Sequence, residues 1–507
     1  MRWLSLPGWP GHLCMFLAGS LVTASLAPID FWPLAIVALA ALFIGLENIP
    51  PRSAFYRGWW FGMGQFSTGV SWVYVSIHDF GAAPPLLAGA LTLVFVAGLS
   101  LFISLFAWAW VKFFRINHRP WLNAVAFAFL WLASDAFRGW FLTGFPWLYV
   151  GYSQIDGPLQ GWAPIGGVWL LTLLVALSAS LIVTLLRQPL SSSARSIGFL
   201  ALITPWIISL WLNGMAWTAP KGLPLSVAAV QGNVEQNMKW DPEHLETQMK
   251  LYRDLTLSNP RADIVVWPET AVPVLRHQAP GFLSVMNDLA VERASVLITG
   301  IPIYQPNENG ENRYYNAITV LGEGDGTYLK QKLVPFGEYV PLQDMLRGLI
   351  EFFDLPMSDF AAGPSDQPPL NAGGLNIAPF ICYEVVYPDF SAQLAANSDL
   401  LLTISNDAWF GHSLGPLQHL QMARMRALEA GRWMIRDTNS GRTAIIDPHG
   451  QITQQIAPFK VGVLHGSVQP MRGLTPFLEW QSKPLWVLGG LVLLITLALR
   501  LYDRRAR

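Results

Sequence analysis

Two hydrophobic patterns divide the chain. Up to about residue 220 apolar residues run in long blocks, whereas between about 222 and 470 they come in short runs bounded by Gly, Pro, Asn or Asp. A membrane-spanning helix needs about 20 mostly apolar residues. The long blocks predict seven such helices, at roughly 11 to 28, 33 to 48, 55 to 77, 84 to 113, 121 to 140, 163 to 186 and 197 to 217, and PLWVLGGLVLLITLALRL at 484 to 501 predicts an eighth. The short runs LPLSVAAVQGN, ADIVVWPET, ASVLITGIPIY, NAITVLG, GGLNIAPFICYE, DLLLTISND and RTAIIDP predict strands, being rich in Val, Ile, Leu and Thr. DPEHLETQMKLYRDLTL and GPLQHLQMARMRALEAG predict helices. Asp241 is the expected N-cap of the first, with Pro242 at its first position, and Gly431 the expected stop of the second. Alternating strands and helices imply an α/β sandwich with functional side chains at strand ends. Three parts follow: a membrane domain at 1–221, an α/β domain at 222–470, and a linker, last helix and basic tail at 471–507.

Composition agrees with this division and charge orients it. Hydrophobic residues make up 52% of the chain and charged residues 13%, against about 25% charged in an ordinary soluble protein. Only 14 Asp, Glu, Lys and Arg residues precede Lys221. Lys and Arg accumulate on the cytoplasmic face of membrane proteins. Arg2, Arg52 and Arg57, Lys112 with Arg115 and Arg119, Arg187 and Arg195, and the tail Arg500, Arg504, Arg505 and Arg507 all fall on one side, and the opposite short loops carry only Arg138. Both termini are therefore expected in the cytoplasm and the 222–470 domain outside it. A net charge of −1 argues against a nucleic-acid partner.

The α/β domain also concentrates the reactive residue types. Its one cysteine, Cys382, ends the apolar run LNIAPFI, while DIVVWPET delivers Glu269 and TYLKQKLVPFGEYVP delivers Lys330 and Glu338. A carboxylate, an amine and a thiol at strand ends are the parts of a cysteine nucleophile with a base and an electrostatic helper. Each has a bland counterpart: a small core cysteine, a solvated glutamate, a surface lysine beside Lys332. The other cysteine, Cys14, lies in an apolar block, so a structural disulfide is not expected. The histidines are scattered without metal-ligand spacing, and neither metal nor organic cofactor is implied.

The order W-P-E (Glu269), K-x-x-L-V-P-F-G-E (Lys330 to Glu338) and C-Y-E (Cys382 to Glu384) resembles the nitrilase, or carbon-nitrogen hydrolase, superfamily. With the membrane half, and with QGNVEQNMKW, SNDAWFG, QMARMRALEAGR, TNSGRTAIIDPHG and FRGWFLTGFPW, the whole chain is similar to the apolipoprotein N-acyltransferase family of the bacterial inner membrane. The resemblance implies an αββα sandwich, periplasmic and carried on a multi-pass membrane domain. It also places the lysine eight residues before the P-F-G-E glutamate, choosing Lys330 over Lys332. The activity it implies is transfer of a fatty acyl chain from a membrane phospholipid, typically phosphatidylethanolamine, through a Cys382 thioester to the α-amino group of a diacylglyceryl-cysteine at an apolipoprotein N-terminus.

A free thiol is mostly protonated at neutral pH, so a base is needed. Glu269 is the expected base, and Lys330 with the Tyr383 backbone N–H the expected oxyanion contacts. Glu338 and Glu384 are expected to hold Lys330 and Glu269 in place, and Trp240 to touch substrate. The alternative enzyme is a membrane-tethered amidase or nitrilase in which water resolves the thioester. A transporter or receptor is disfavoured, since binding alone does not require all three groups. Two further features have two readings each. Asp135 and Arg138 form either a structural ion pair on one helix face or a headgroup site. The segment at 342–357 is either an amphipathic helix packed on its own domain or a lid against the bilayer.

Overall fold

The structure, a computed structural model, describes residues 8–505 apart from 117, 308 and 340–359. The expected amphipathic segment at 342–357 lies outside the described residues. Two compact units emerge: Met1–Tyr74, Pro84–Met215 and Trp480–Arg507 form one, and Val75–Ala83 with Ala216–Glu479 the other.

The first unit is helical. Among the described residues five helices are long and apolar enough to cross a membrane: Pro85–Phe114, Pro120–Thr143, Gln160–Arg187, Ser192–Leu212 and Lys483–Arg505. The other three expected spans form helices that do not meet that standard individually. Trp9–Ala24 has 16 residues, Pro33–Gly45 has 13, and Pro51–Gly69 contains Arg52, Arg57 and four glycines before its terminal one or at it. Those glycines explain the low apolar content of Pro51–Gly69, because they are where its neighbours approach. A Cβ on Gly58 would lie 2.5 Å from the Ile103 carbonyl, one on Gly62 2.7 Å from Ser100 Cα, and one on Gly64 1.9 Å from the Phe16 carbonyl. Small residues at such spacing let helix backbones pack closely where no hydrophobic driving force separates helix from lipid. Buried Arg57 donates to the Gly45 carbonyl and Arg115 to the Leu46 carbonyl at 2.7 Å, so cations occupy the C-terminal end of Pro33–Gly45. Arg138 donates to Asp135 Oδ1 at 2.8 Å and to the carbonyls of Phe145 and Trp147, each at 2.6 Å. With 1% of its side chain exposed it serves the structural reading: it ties the 141–149 loop to its helix.

The second unit contains fifteen strands among the described residues: β1 (Ala219–Pro220), β2 (Leu225–Gln231), β3 (Ile264–Val266), β4 (Val296–Pro306), β5 (Asn312–Gly322), β6 (Gly324–Asp325), β7 (Thr327–Leu329), β8 (Leu370–Ala372), β9 (Leu375–Ile381), β10 (Leu400–Ser405), β11 (Met434–Thr438), β12 (Ala444–Ile446), β13 (Ile452–Gln455), β14 (Gly462–Val468) and β15 (Met471–Arg472). One sheet runs β14-β2-β3-β4-β5-β7 and another β13-β12-β11-β10-β9-β8-β6, while β1 and β15 pair separately. β2, β3 and β4 are parallel, as are β9, β10 and β11.

Alternation along the strands builds the layers, because successive side chains point to opposite faces. Val227, Ala229, Ile264, Val266 and Ile298 of the first sheet meet Ile377, Ile381, Leu400, Leu402, Ile404 and Ile435 of the second in one buried core. Their neighbours Ala228, Val230, Val265 and Leu297 point the other way, against Tyr252 and Met286 of helices Leu245–Leu257 and Pro280–Glu292. Helix Pro388–Ala395 packs on β9, and Gly415–Ala430 packs on that helix and on the turn after β9. The result is a helix, sheet, sheet, helix sandwich. Gly431 closes Gly415–Ala430 at φ 58°, in the left-handed conformation expected of it. Asp241 does not cap the helix that follows it, which starts only at Leu245; its carboxylate instead accepts from Glu243 N–H at 3.0 Å and holds His244 within a turn.

Because Leu402 is fully buried between the sheets, Leu402→Ala should destabilise the second unit by about 2–5 kcal/mol. A melting midpoint in detergent lowered by several degrees would bear this out, and an unchanged midpoint would contradict the packing.

Candidate active site

Three strand ends converge. Glu269 follows β3 through Trp267 and Pro268, Lys330 directly follows β7, and Cys382 directly follows β9. Glu269, Lys330 and Glu338 are at most 8% exposed. Lys330 Nζ donates to Glu338 Oε1 at 2.8 Å and lies 3.7 Å from Glu269 Oε1. Glu269 Oε1 also accepts from Asn316 Nδ2 at 2.7 Å and its Oε2 from the Asn406 N–H at 2.8 Å. The same Asn316 amide reaches Glu338 Oε1 at 3.1 Å, and Glu338 Oε2 accepts from Val334 N–H at 2.9 Å. Lys332, by contrast, extends over the rings of Tyr387 and Phe390.

Burial alone would push the Lys330 ammonium down, but Glu338 and Glu269 outweigh it and hold it above its usual range. Cys382 is only partly covered, yet burial, with Glu269 adding to it, raises its thiol well above normal against the opposing pull of Lys330. The resting sulfur is thus a thiol with a carboxylate and an ammonium both acting on it. Its backbone sits at φ 53°, and Thr270 after Glu269 and Phe336 before Glu338 also have positive φ, at 51° and 64°. Non-glycine residues in that region are strained and cluster at functional sites. The turn carrying Glu269 rests on Gly300 of β4, where a Cβ would come 2.5 Å from the Thr270 nitrogen.

Glu384 supports the site by a different route from the one expected. It contacts neither Glu269 nor Lys330 directly. Its Oε1 accepts from Tyr328 OH at 2.9 Å and from the N–H groups of Gln331 and Lys332 at 2.6 and 3.1 Å, and its Oε2 accepts from Ile381 N–H at 2.7 Å. One fully buried carboxylate therefore clips the strand that ends at Cys382 to the strand that ends at Lys330. Burial pushes it up to about 7, against those backbone N–H donors and the charge of Lys330. Tyr383 is buried in the turn Cys382–Val386, its ring edge-on to Tyr387. Trp240 is partly buried, and its enclosed indole N–H has no partner among the described residues.

Several site residues went unassigned in the sequence. Lys239 is 4% exposed and donates to the Glu269 carbonyl at 2.7 Å. Asn316, Asn406, Asp407 and His419 surround Glu269 and Cys382. Asn316 could have been found as a polar residue inside an apolar strand. Asn406 and Asp407 lie in the S-N-D-A-W-F-G string, but nothing local to Lys239 or His419 marks either of them.

A two-sheet sandwich with a buried carboxylate, ammonium and thiol at its strand ends defines a carbon-nitrogen hydrolase domain, and residues 226–475 match that family while residues 18–181 match the apolipoprotein N-acyltransferase N-terminal domain. Relatives named apolipoprotein N-acyltransferase match throughout: 60% identity with that of Pseudomonas syringae pv. tomato over 96% of each chain, and 60% with that of Azotobacter vinelandii over 100% of this chain and 98% of the other. That of Vibrio parahaemolyticus is 42% identical over 95% and 96%. The chain belongs to the apolipoprotein N-acyltransferase family.

Lys239 generates a pH prediction. Burial lowers its ammonium from 10.5 to about 8, partly offset by Glu269 and Cys382. The unfolded chain then binds more protons than the folded one between about 8 and 10.5, so stability from this group is full above that window and is lost as pH falls through 8. Relative to Lys239→Met, the wild-type protein should gain on the order of 3 kcal/mol across the window, at about 1.4 kcal/mol per unit. Parallel melting curves for the two from pH 8 to 10.5 would contradict this placement of Lys239.

Proposed function

We infer that this bacterial membrane protein is an acyltransferase that N-acylates apolipoproteins through a Cys382 thioester. The observation that carries the mechanism is the convergence of Glu269, Lys330 and Cys382 at the ends of β3, β7 and β9, with Lys330 Nζ 3.7 Å from Glu269 Oε1; burial and Glu269 raise the thiol, so it must lose its proton to a base before it can attack. Glu269 takes the thiol proton as sulfur attacks the ester carbonyl of a phospholipid, for which phosphatidylethanolamine is the proposed donor. Lys330 and the Tyr383 N–H face the oxyanion. Collapse breaks the carbon–oxygen ester bond, Glu269 returns the proton to the leaving alkoxide, and a lysophospholipid departs. The free α-amine of a diacylglyceryl-cysteine then attacks the thioester, Glu269 accepts the amine proton, and the thiolate leaves and is reprotonated as the amide forms. Trp240 is the proposed substrate contact, supported by its enclosed, unsatisfied indole N–H.

Eight crossing helices, with both termini cytoplasmic and the catalytic domain periplasmic in the inner membrane, complete the proposal. The arginine-rich loops support it, and the close packing of Pro51–Gly69 with its neighbours explains how a less apolar helix can be one of the eight. A thioester at the bilayer is shielded from bulk water, while a lipid-anchored amine reaches it by lateral diffusion. An α-amine with a pKa near about 8 can arrive unprotonated far more readily than a lysine side chain near about 10.4.

Incubated with a defined phospholipid, the protein should gain one acyl mass on the Cys382 peptide, labile to hydroxylamine. A diacylated peptide with a free N-terminal cysteine amine should discharge it as an amide, with ping-pong kinetics. Glu269→Gln and Lys330→Met should each slow acylation on the order of 10²-fold or more. Label on Cys14, or persistence of label in Cys382→Ala, would refute the nucleophile; rapid fatty-acid release indifferent to peptide would favour the tethered hydrolase. The orientation has its own check. A membrane-impermeant thiol reagent applied outside the inner membrane should modify Asn309→Cys and spare Ser192→Cys, and the reverse pattern would invert the assignment.

A further inference from the structure

Behind the nucleophile lies a second buried cluster that the acyl-transfer steps do not use. His419, on helix Gly415–Ala430, is 1% exposed, and its Nε2 stands 3.1 Å from the Cys382 carbonyl oxygen. A carbonyl only accepts, so Nε2 carries the proton there. The other ring nitrogen, Nδ1, lies 3.0 Å from Asp407 Oδ1 and 3.2 Å from Arg436 Nη2, and that guanidinium donates to Asp407 Oδ2 at 2.6 Å. Burial and the neighbouring Arg436 push the imidazole down, while Asp407 and the Cys382 carbonyl oppose them. Gly441 makes room for the carboxylate: a Cβ there would come 2.3 Å from Asp407 Oδ2.

The cluster also reaches the base. Asp407 begins the turn Asp407–Phe410, and the residue before it, Asn406, donates its backbone N–H to Glu269 Oε2. Adjacent residues thus touch Glu269 directly and, through His419, the peptide of Cys382. The turn is braced on its other side by the segment Val75–Ala83 of the same unit: Ser76 Oγ donates to the Trp409 carbonyl at 2.8 Å, and Phe80 packs edge-on against the Trp409 ring at 5.7 Å. The nucleophile, meanwhile, occupies a backbone conformation at φ 53° that a non-glycine residue keeps only where its surroundings enforce it.

We propose that His419 is a positioning residue that pins the Cys382 carbonyl, so that the Asn406–Asp407 peptide sets the alignment of base and nucleophile. The proposal rests on Cys382 and Glu269 having those roles, and it predicts which edge of the ring matters. His419→Gln can present an amide N–H where Nε2 stood, whereas the shorter His419→Asn can replace only Nδ1.

The test uses full-length protein in vesicles of phosphatidylethanolamine carrying a labelled acyl chain, and reads the single-turnover rate of label on Cys382, its dependence on donor concentration, and the melting midpoint. His419→Asn should acylate about tenfold or more slowly with unchanged half-saturating donor, and His419→Gln should stay within about threefold of wild type, since small misplacements of a reacting group cost rate rather than binding. Equal rates in the two variants, or loss of folded protein in both, would make His419 an ordinary core histidine and overturn the proposal. Absence of label on wild-type Cys382 would instead remove the acyl-enzyme reading beneath it, so the two failures are told apart.

Discussion

The ammonium of Lys330, held between Glu338 and Glu269, is the contact on which the rest of the site depends. A buried ion pair adds little net stability, because desolvation offsets most of the attraction, but removing one partner leaves an uncompensated buried charge at a penalty of about 3–5 kcal/mol. Its effect here is to fix register. Lys330 brings the end of β7 to the end of β3, and Asn316 of β5 donates one amide to both carboxylates, so three strands of the first sheet are aligned by one cation and one amide. The second sheet joins through Glu384, which grips the peptide before Cys382 and the two peptides after Lys330. Together the two fastenings join the ends of β3, β7 and β9, where Glu269, Lys330 and Cys382 lie.

That arrangement also accounts for the strained backbone. Thr270, Phe336 and Cys382 occupy left-handed conformations that cost about 1–3 kcal/mol each for non-glycine residues. Each lies within two residues of a carboxylate bound by several donors: Glu269 beside Thr270, Glu338 beside Phe336, Glu384 beside Cys382. The hydrogen bonds that satisfy the buried charges also enforce the turns that aim them. Gly300 contributes by omission, letting β4 run against the Glu269 turn without a side chain between them.

Much of this was legible in the sequence, and the unread part has physical causes. The strands were readable because they are buried on both faces, so they appear as continuous Val-, Ile- and Leu-rich runs that can be recognised without their partners. The carboxylate, amine and thiol were readable because each ends such a run. His419 was not: it reaches a carbonyl 37 residues away that no local pattern announces. Lys239 likewise looks like any lysine in a polar turn, and only the folded chain buries it against the Glu269 carbonyl. Asp241 misled for the opposite reason, since the residue types that cap helices also stabilise turns. In the membrane half, Pro51–Gly69 uses glycine to pack against other helices and carries Arg52 and Arg57, so it looks less like a span than its neighbours do.

On the acyl-transfer reading, charge balance explains how such a site can work away from water. With Lys239 protonated, Lys239, Lys330, Glu269 and Glu338 carry two positive and two negative charges around a neutral thiol. Moving the thiol proton to Glu269 leaves that total unchanged; the negative charge shifts from carboxylate to sulfur while remaining near both lysines. Creating net charge in a low-dielectric interior is expensive, but relocating it within a fixed cluster is far less so. The same holds when the amine attacks, since its proton passes to Glu269 and then to the departing sulfur. Each half-reaction then returns the cluster to its starting charge without a proton drawn from solvent, which is what a catalytic centre receiving both substrates from a bilayer requires.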